Sequence, residues 1–124
     1  MKGTYLLFLK LGDDKRINVG RLGRVEFRQG WYVYVGSGMN SLIKRVARHF
    51  KRVKKLKWHI DYLSVQADEI VAFLIPNQRL ECDLAKHLVT KFEYIEGFGC
   101  SDCGCISHLF YLGNILKSDE DTKS

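Results

Sequence analysis

Proline is nearly missing from this chain: Pro76 is the only one among 124 residues. A single proline, beside 46% apolar and 12% aromatic residues, excludes fibrous and proline-rich disordered classes and points to a folded globular protein. Long apolar runs are missing too, and none approaches the ~20 residues that a membrane-crossing helix needs. The first residues lack the basic, apolar and small-residue order of a secretory signal, so a cytoplasmic protein with no membrane partner is expected. No internal repeat, low-complexity block or linker divides the chain, and its length suits one core rather than two. The expected organisation is a single domain over residues 1–116, followed by a charged, apolar-poor and flexible tail at 117–124.

Cysteine is scarce and unevenly placed. Cys100, Cys103 and Cys105 crowd together while Cys82 stands far upstream, which is no disulfide framework. With His108 the late group makes a Cys-x2-Cys-x-Cys-x2-His run, the donor types that zinc takes. Four ligands this close in sequence would strain a tetrahedron. The preferred expectation is therefore a structural turn whose backbone and Ser101, Asp102 or His108 approach the functional cleft, with zinc held by Cys100, Cys103, Cys105 and His108 as the lesser alternative.

Acidic residues are outnumbered, fourteen to twenty, and the formal charge is +6. Most of the excess falls between Arg45 and Lys57, interleaved with His49, Phe50 and Trp58. Clustered cations with aromatic neighbours favour a polyanionic partner, and nucleic acid leads. Arg48, His49, Lys51, Arg52, Lys55 and Lys57 are the candidate phosphate-gripping set.

Periodicity gives the elements. Tyr5 to Leu11 reads as a buried strand ending at Gly12-Asp13-Asp14, and Trp31 to Val35 as a central strand. Ile17–Val19 and Arg24–Phe27 alternate like short edge strands. Leu42, Val46, Phe50 and Val53 form the apolar stripe of a basic helix that opens at Ser41. A second short helix follows from Trp58 towards Ala67. Glu69 to Ile75 is a strand, Leu80, Leu84, Leu88 and Phe92 mark a third helix, and His108 to Leu112 is a last strand. The class is α+β: a small antiparallel sheet with a three-stranded core and short edge strands, flanked by about three helices.

Tyr5, Tyr34, Arg45 and Glu81 are the chemical candidates, in that order along the chain. Phosphodiester hydrolysis needs a base, positive charge against the transition state and a metal to hold an oxygen. A tyrosine, pKa near 10 when free, serves as base only where neighbouring positive charge lowers it. Arg45 can do that, and Glu81 suits a single hard ion such as Mg2+ or Mn2+. His59 can donate to a phosphate or shuttle a proton, with Asp61 orienting it or capping a helix. Tyr32 shares a strand face with Tyr34, and Arg48 a helix face with Arg45, so both remain alternatives here.

These residues in this order resemble the GIY-YIG nuclease superfamily: Gly3-Thr4-Tyr5 stands at the first signature, Tyr34-Val35-Gly36 at the second, and Leu42-Ile43-Lys44-Arg45 at the arginine-bearing helix. The phrases Val19-Gly20-Arg21-Leu22-Gly23, His59-Ile60-Asp61-Tyr62-Leu63, and Gly97-Phe98-Gly99 through Ser107-His108-Leu109-Phe110 look like a small archaeal and bacterial branch of it. Some members of that branch are attached to DNA-repair enzymes. The resemblance implies a three-stranded antiparallel sheet flanked by helices, one divalent metal on Glu81, cleavage of nucleic-acid phosphodiesters with DNA ahead of RNA, and a DNA-repair enzyme as partner. Thr4 and Val35 replace the signature isoleucines with β-branched residues that keep the strand geometry. A late asparagine of better-known members has no counterpart here. The competing expectations are an inactive nucleic-acid-binding accessory module of the same fold and a zinc-stabilised interaction domain.

Overall fold

The computed structural model describes residues 2–100 and 103–114; Ser101, Asp102 and the 117–124 tail, all named above, lie outside these described residues. The fold is α+β, as expected. Its main sheet has five strands in the order β5-β1-β4-β7-β6, and every pairing is antiparallel. They are β1 (Gly3–Leu11), β4 (Gly30–Gly38), β5 (Glu69–Pro76), β6 (Glu93–Tyr94) and β7 (Leu109–Gly113). Two further strands, β2 (Lys15–Asn18) and β3 (Arg24–Phe27), pair only with each other, across a 3-10 turn at Gly20–Leu22. The sequence placed them at the edges of one sheet. Their alternation instead buries Ile17 and Phe27 against the main core as a separate hairpin.

The β1 run from Tyr5 to Leu9 is continuously apolar because both faces are covered. Tyr5, Leu7, Leu9 and Leu11 point to one side, where α1 (Leu42–His49) and α2 (His59–Ser64) supply Leu42, Val46, Ile60 and Leu63. The other face carries Val33, Val35 and Phe110, packed with Ala85, Leu84 and Leu88 of α3 (Glu81–Leu88). Directly opposed residues of an antiparallel pair share a face, so the register Tyr5↔Gly36, Leu7↔Tyr34 and Leu9↔Tyr32 puts all three tyrosines on the α1 and α2 side.

The first helix differs from its predicted stripe. Ser41 caps it by accepting from the Lys44 amide (3.3 Å), a contribution of about 1 kcal/mol. It ends at His49, so the buried positions are Leu42, Val46 and His49, spaced i, i+4 and i+7. Phe50 and Val53, assigned to the stripe from sequence, are 46% and 93% exposed. The chain leaves the helix because its cations turn onto α2: Lys54 Nζ donates to Ser64 Oγ (2.8 Å), and Arg52 Nη1 donates to the Ser64 and Ala67 carbonyls. Among the described residues no helix is long and apolar enough to cross a membrane.

Candidate active site

The site forms where β1 begins and β4 ends, against the second half of α1 and the start of α3. Tyr5 faces Gly36 directly across the strand pair, and a methyl at Gly36 would overlap the Tyr5 ring. The glycine of the second motif is therefore the space in which the tyrosine of the first lies. Tyr34 tilts against Tyr5 with ring centroids 6.3 Å apart. Gly99, at φ +76°, brings its backbone against Tyr34 and His108, where a side chain would be strained as well as crowded.

His49 is the third ring. It is fully buried, its Nε2 lies 2.6 Å from the Tyr5 hydroxyl, and its centroid is 5.2 Å from Tyr5 and 6.3 Å from Tyr34. Its placement among phosphate-gripping surface residues does not hold, because the helix ends one turn early and points it into the sheet. Burial, reinforced by Lys54, holds its pKa down to about 4, so it is neutral at pH 7. Its Nδ1 is buried without a hydrogen-bond partner among the described residues. Its spacing from Leu42 and Val46 does set it on the buried stripe, and only its polarity amid basic neighbours reads as surface.

Burial pushes both Tyr5 and Tyr34 well above the usual phenol range. Tyr34 and Glu81 raise Tyr5 further, Glu81 raises Tyr34, and Arg45 pulls both down. Tyr5, Tyr34, Arg45 and Glu81, drawn from four elements, thus share one electrostatic neighbourhood. The alternatives left open by sequence part here. Tyr32 donates to the Arg28 carbonyl (2.7 Å) and packs on Phe27 and Tyr111, among neighbours not shared with Tyr34. Arg48 is bound to Asp61 (2.8 Å) and to the Lys55 carbonyl (2.8 Å).

Glu81 opens α3 and is held from two sides. Ser37 of β4 donates to its Oε1 (2.9 Å), and its Oε2 lies 3.6 Å from His108 Nδ1. The approach of α3 is fixed by Thr4, whose fully buried hydroxyl accepts from the Leu80 amide (2.8 Å) and donates to the Gln78 carbonyl (2.7 Å). The hydroxyl, and not only the β-branch, is what threonine supplies at this position. His59 sits apart: its Nδ1 accepts from the Gly99 amide (2.9 Å) and its ring packs on Phe98, so it anchors the loop that touches Tyr34.

The basic segment is organised by one carboxylate. Asp61 is fully buried; its Oδ2 accepts from Arg48, from the Trp58 amide (2.9 Å) and from the Lys57 amide (2.8 Å), capping α2. It does not orient His59. Arg45, Arg48 and Lys57 all stack on the Trp58 ring at 4.5–5.0 Å. Arg48 is thereby spent inside the fold, whereas Lys51, Arg52, Lys55 and Lys57 remain exposed.

A second constellation adjoins the first. The ligand atoms of Cys82, Cys103, Cys105 and His108 all lie within 4.8 Å of one another, a group that can hold a metal ion. The sequence put Cys100 in this group. Its thiol instead donates to the Phe98 carbonyl (3.4 Å) and is pushed up to about 12 by burial and the neighbouring Cys103. Cys82 takes its place from the first turn of α3. All of these residues fall inside one family match, to the domain of unknown function DUF123, over residues 4–124.

The chain belongs to the DUF123 family. No curated protein matches it, and no solved structure does. The DUF123 match covers the Tyr5–His49 pair, Glu81 and the whole cysteine–histidine group, so both constellations lie within the family's extent.

Proposed function

We propose that this chain is a divalent-metal-dependent endonuclease that hydrolyses nucleic-acid phosphodiester bonds, with DNA favoured over RNA. The observation that carries this reading is the convergence of Arg45 and Glu81 on the ionisation of Tyr5 and Tyr34, beside a neutral histidine on Tyr5. The resemblance of the Gly3-Thr4-Tyr5 and Tyr34-Val35-Gly36 motifs to GIY-YIG nucleases supports the same chemistry.

Water adds to phosphorus, the bond to the leaving oxygen breaks, and a proton must leave the water. Tyr34 or Tyr5 takes that proton as a phenolate, a form that Arg45 favours and burial opposes, and the proton then passes to the leaving oxygen. Arg45 opposes the rise of both phenols and neutralises charge building on the phosphoryl oxygens. Glu81 is a partly exposed carboxylate, which fits a hard ion such as Mg2+ or Mn2+ that keeps water in its remaining positions. When bound, such an ion supplies Lewis-acid polarisation of the phosphate and offsets the Glu81 charge that raises Tyr34. Lys51, Arg52, Lys55 and Lys57 grip backbone phosphates. A DNA-repair enzyme is the partner class that the resemblance suggests.

The test is a panel of labelled single-stranded, duplex and flapped DNA and RNA incubated with Mg2+ or Mn2+. Metal-dependent cleavage is expected, falling by roughly 100-fold or more in Glu81→Ala and in Tyr34→Phe. Absence of cleavage from every substrate, or cleavage indifferent to both changes, overturns the proposal. Lys51→Gln, Lys55→Gln and Lys57→Gln together should lower the salt slope of binding by about 2 to 3. A second reading, a binding module without turnover, is favoured by the depth of the phenols, since Tyr5 is 2% and Tyr34 9% exposed. It predicts salt-dependent binding that no metal converts into cleavage.

A further inference from the structure

We propose that Cys82, Cys103, Cys105 and His108 form a closed, four-ligand zinc site that clamps the chain from Cys103 to His108 onto the start of α3. This inference does not rest on the nuclease reading.

Spacing alone argued against such a site, because four donors within nine residues cannot surround an ion without strain. Folding removes that objection. Cys82 comes from the first turn of α3, so the pattern becomes Cys-x20-Cys-x-Cys-x2-His with one ligand from a distant element. That is the two-segment arrangement by which structural zinc staples a loop. In a tetrahedron of ~2.3 Å zinc–sulfur bonds the sulfurs lie about 3.8 Å apart. Here every donor lies within 4.8 Å of every other, so a small contraction completes the cage.

The histidine is oriented for the task. His108 is fully buried, and its Nδ1 lies 3.1 Å from the Val35 carbonyl oxygen. A carbonyl can only accept, so Nδ1 carries the proton and Nε2 presents its lone pair, 3.1 Å from Cys103 Sγ. A metal-bound imidazole typically donates its other N–H to a carbonyl or carboxylate, and Val35 and Glu81 (3.6 Å) are placed for that role. Backbone bonds fix the ring from both sides, Val35 N to His108 O (3.0 Å) and His108 N to Phe98 O (2.9 Å).

The donors identify the ion class. Three thiolates and a neutral imidazole select a soft or borderline cation over magnesium or calcium, and four protein ligands leave no open position for chemistry. The ion is therefore structural. It joins the residue after Glu81 to the residue that faces Glu81, and holds the loop whose Gly99 lies against Tyr34.

The experiment uses the full chain, expressed with zinc in the medium and purified under reducing conditions without chelator. One zinc per chain is expected by elemental analysis. Cobalt titrated into metal-stripped protein should give the visible bands and thiolate charge transfer of a tetrahedral site. Cys82→Ser should weaken cobalt binding by more than the roughly 100-fold ceiling of outer-shell changes, whereas Cys100→Ser should leave stoichiometry and spectrum unaltered. Since Cys82→Ser can fail through folding alone, the wild-type spectrum and the Cys100→Ser control decide the matter independently. Wild-type protein with neither zinc nor a cobalt spectrum overturns the proposal, as does iron in place of zinc, a Cys82 disulfide under these conditions, or equal loss in Cys100→Ser. Glu81→Ala, which removes no zinc ligand, should keep its zinc even where cleavage is lost.

Discussion

Removing the Asp61 carboxylate should cost far more than removing any surface ion pair of this protein. In Asp61→Ala, Arg48 loses a 2.8 Å partner, two backbone amides at Lys57 and Trp58 lose their acceptor, and Lys54, 4% exposed, loses the nearest countercharge at 3.9 Å. Breaking a buried pair from one side typically costs about 3–5 kcal/mol because the other charge stays buried. Against a domain stability of roughly 5–15 kcal/mol that is a large share, equivalent to a fall in Tm of roughly 10–20 °C. Asp61→Asn keeps an acceptor for the amides and should lose less. Urea unfolding followed by tryptophan fluorescence is the assay, since Trp58 adjoins the carboxylate. Glu26→Ala is the reference: its pair with Arg16 is 63% and 74% exposed and should contribute at most about 1 kcal/mol. If Asp61→Ala comes within about 1 kcal/mol of Glu26→Ala, the carboxylate does not organise the basic segment.

Acid should weaken the fold through His49. Its folded pKa of about 4 lies below its ordinary 6.5, so the unfolded chain binds the proton first; its contribution is complete above pH 6.5 and falls by about 3 kcal/mol as pH drops to 4. Stability curves of wild type and His49→Gln should diverge in that window, and parallel curves would contradict the assignment. Thr4→Val keeps the β-branch but leaves the Leu80 amide without its acceptor. It should destabilise by about 1–3 kcal/mol and, through Glu81, weaken metal-dependent cleavage more than an equally destabilising change in the β2–β3 hairpin. Equal effects from both sites would refute a positioning role for the hydroxyl.

The strands were legible where alternation and composition agree, as in Tyr5 to Leu11 and Trp31 to Val35, and so were the starts of the three helices. Register was not. Which strand lies beside β1 is decided by how whole faces fit, and nothing local at Glu69 to Pro76 states that it pairs with β1 on the side away from β4. The helix stripe failed at Phe50 and Val53 because their spacing continues the pattern while Arg52 and Lys54 pull the backbone onto α2. His49 was missed as a core ring for the same reason: amid basic neighbours its polarity reads as surface. Tyr5, Tyr34, Arg45 and Glu81 were visible as an ordered set. Cys82 was hidden from its partners by twenty intervening residues, since a ligand pattern closed by tertiary folding leaves no short spacing to read.

The position of β7 bears on the order in which the protein is made. This late strand enters between β4 and β6, and among the described residues β6 pairs with no other strand. Until β7 emerges during synthesis, β4 presents a bare edge and β6 has nowhere to dock. Tyr5, Tyr34, Arg45 and Glu81 are translated well before the segment bearing Gly99 and His108 closes over them. The neighbourhood of Tyr5 and Tyr34 is thus closed only once β7 has paired with β4, and a product truncated before residue 109 would carry these side chains beside an unpaired β4 edge.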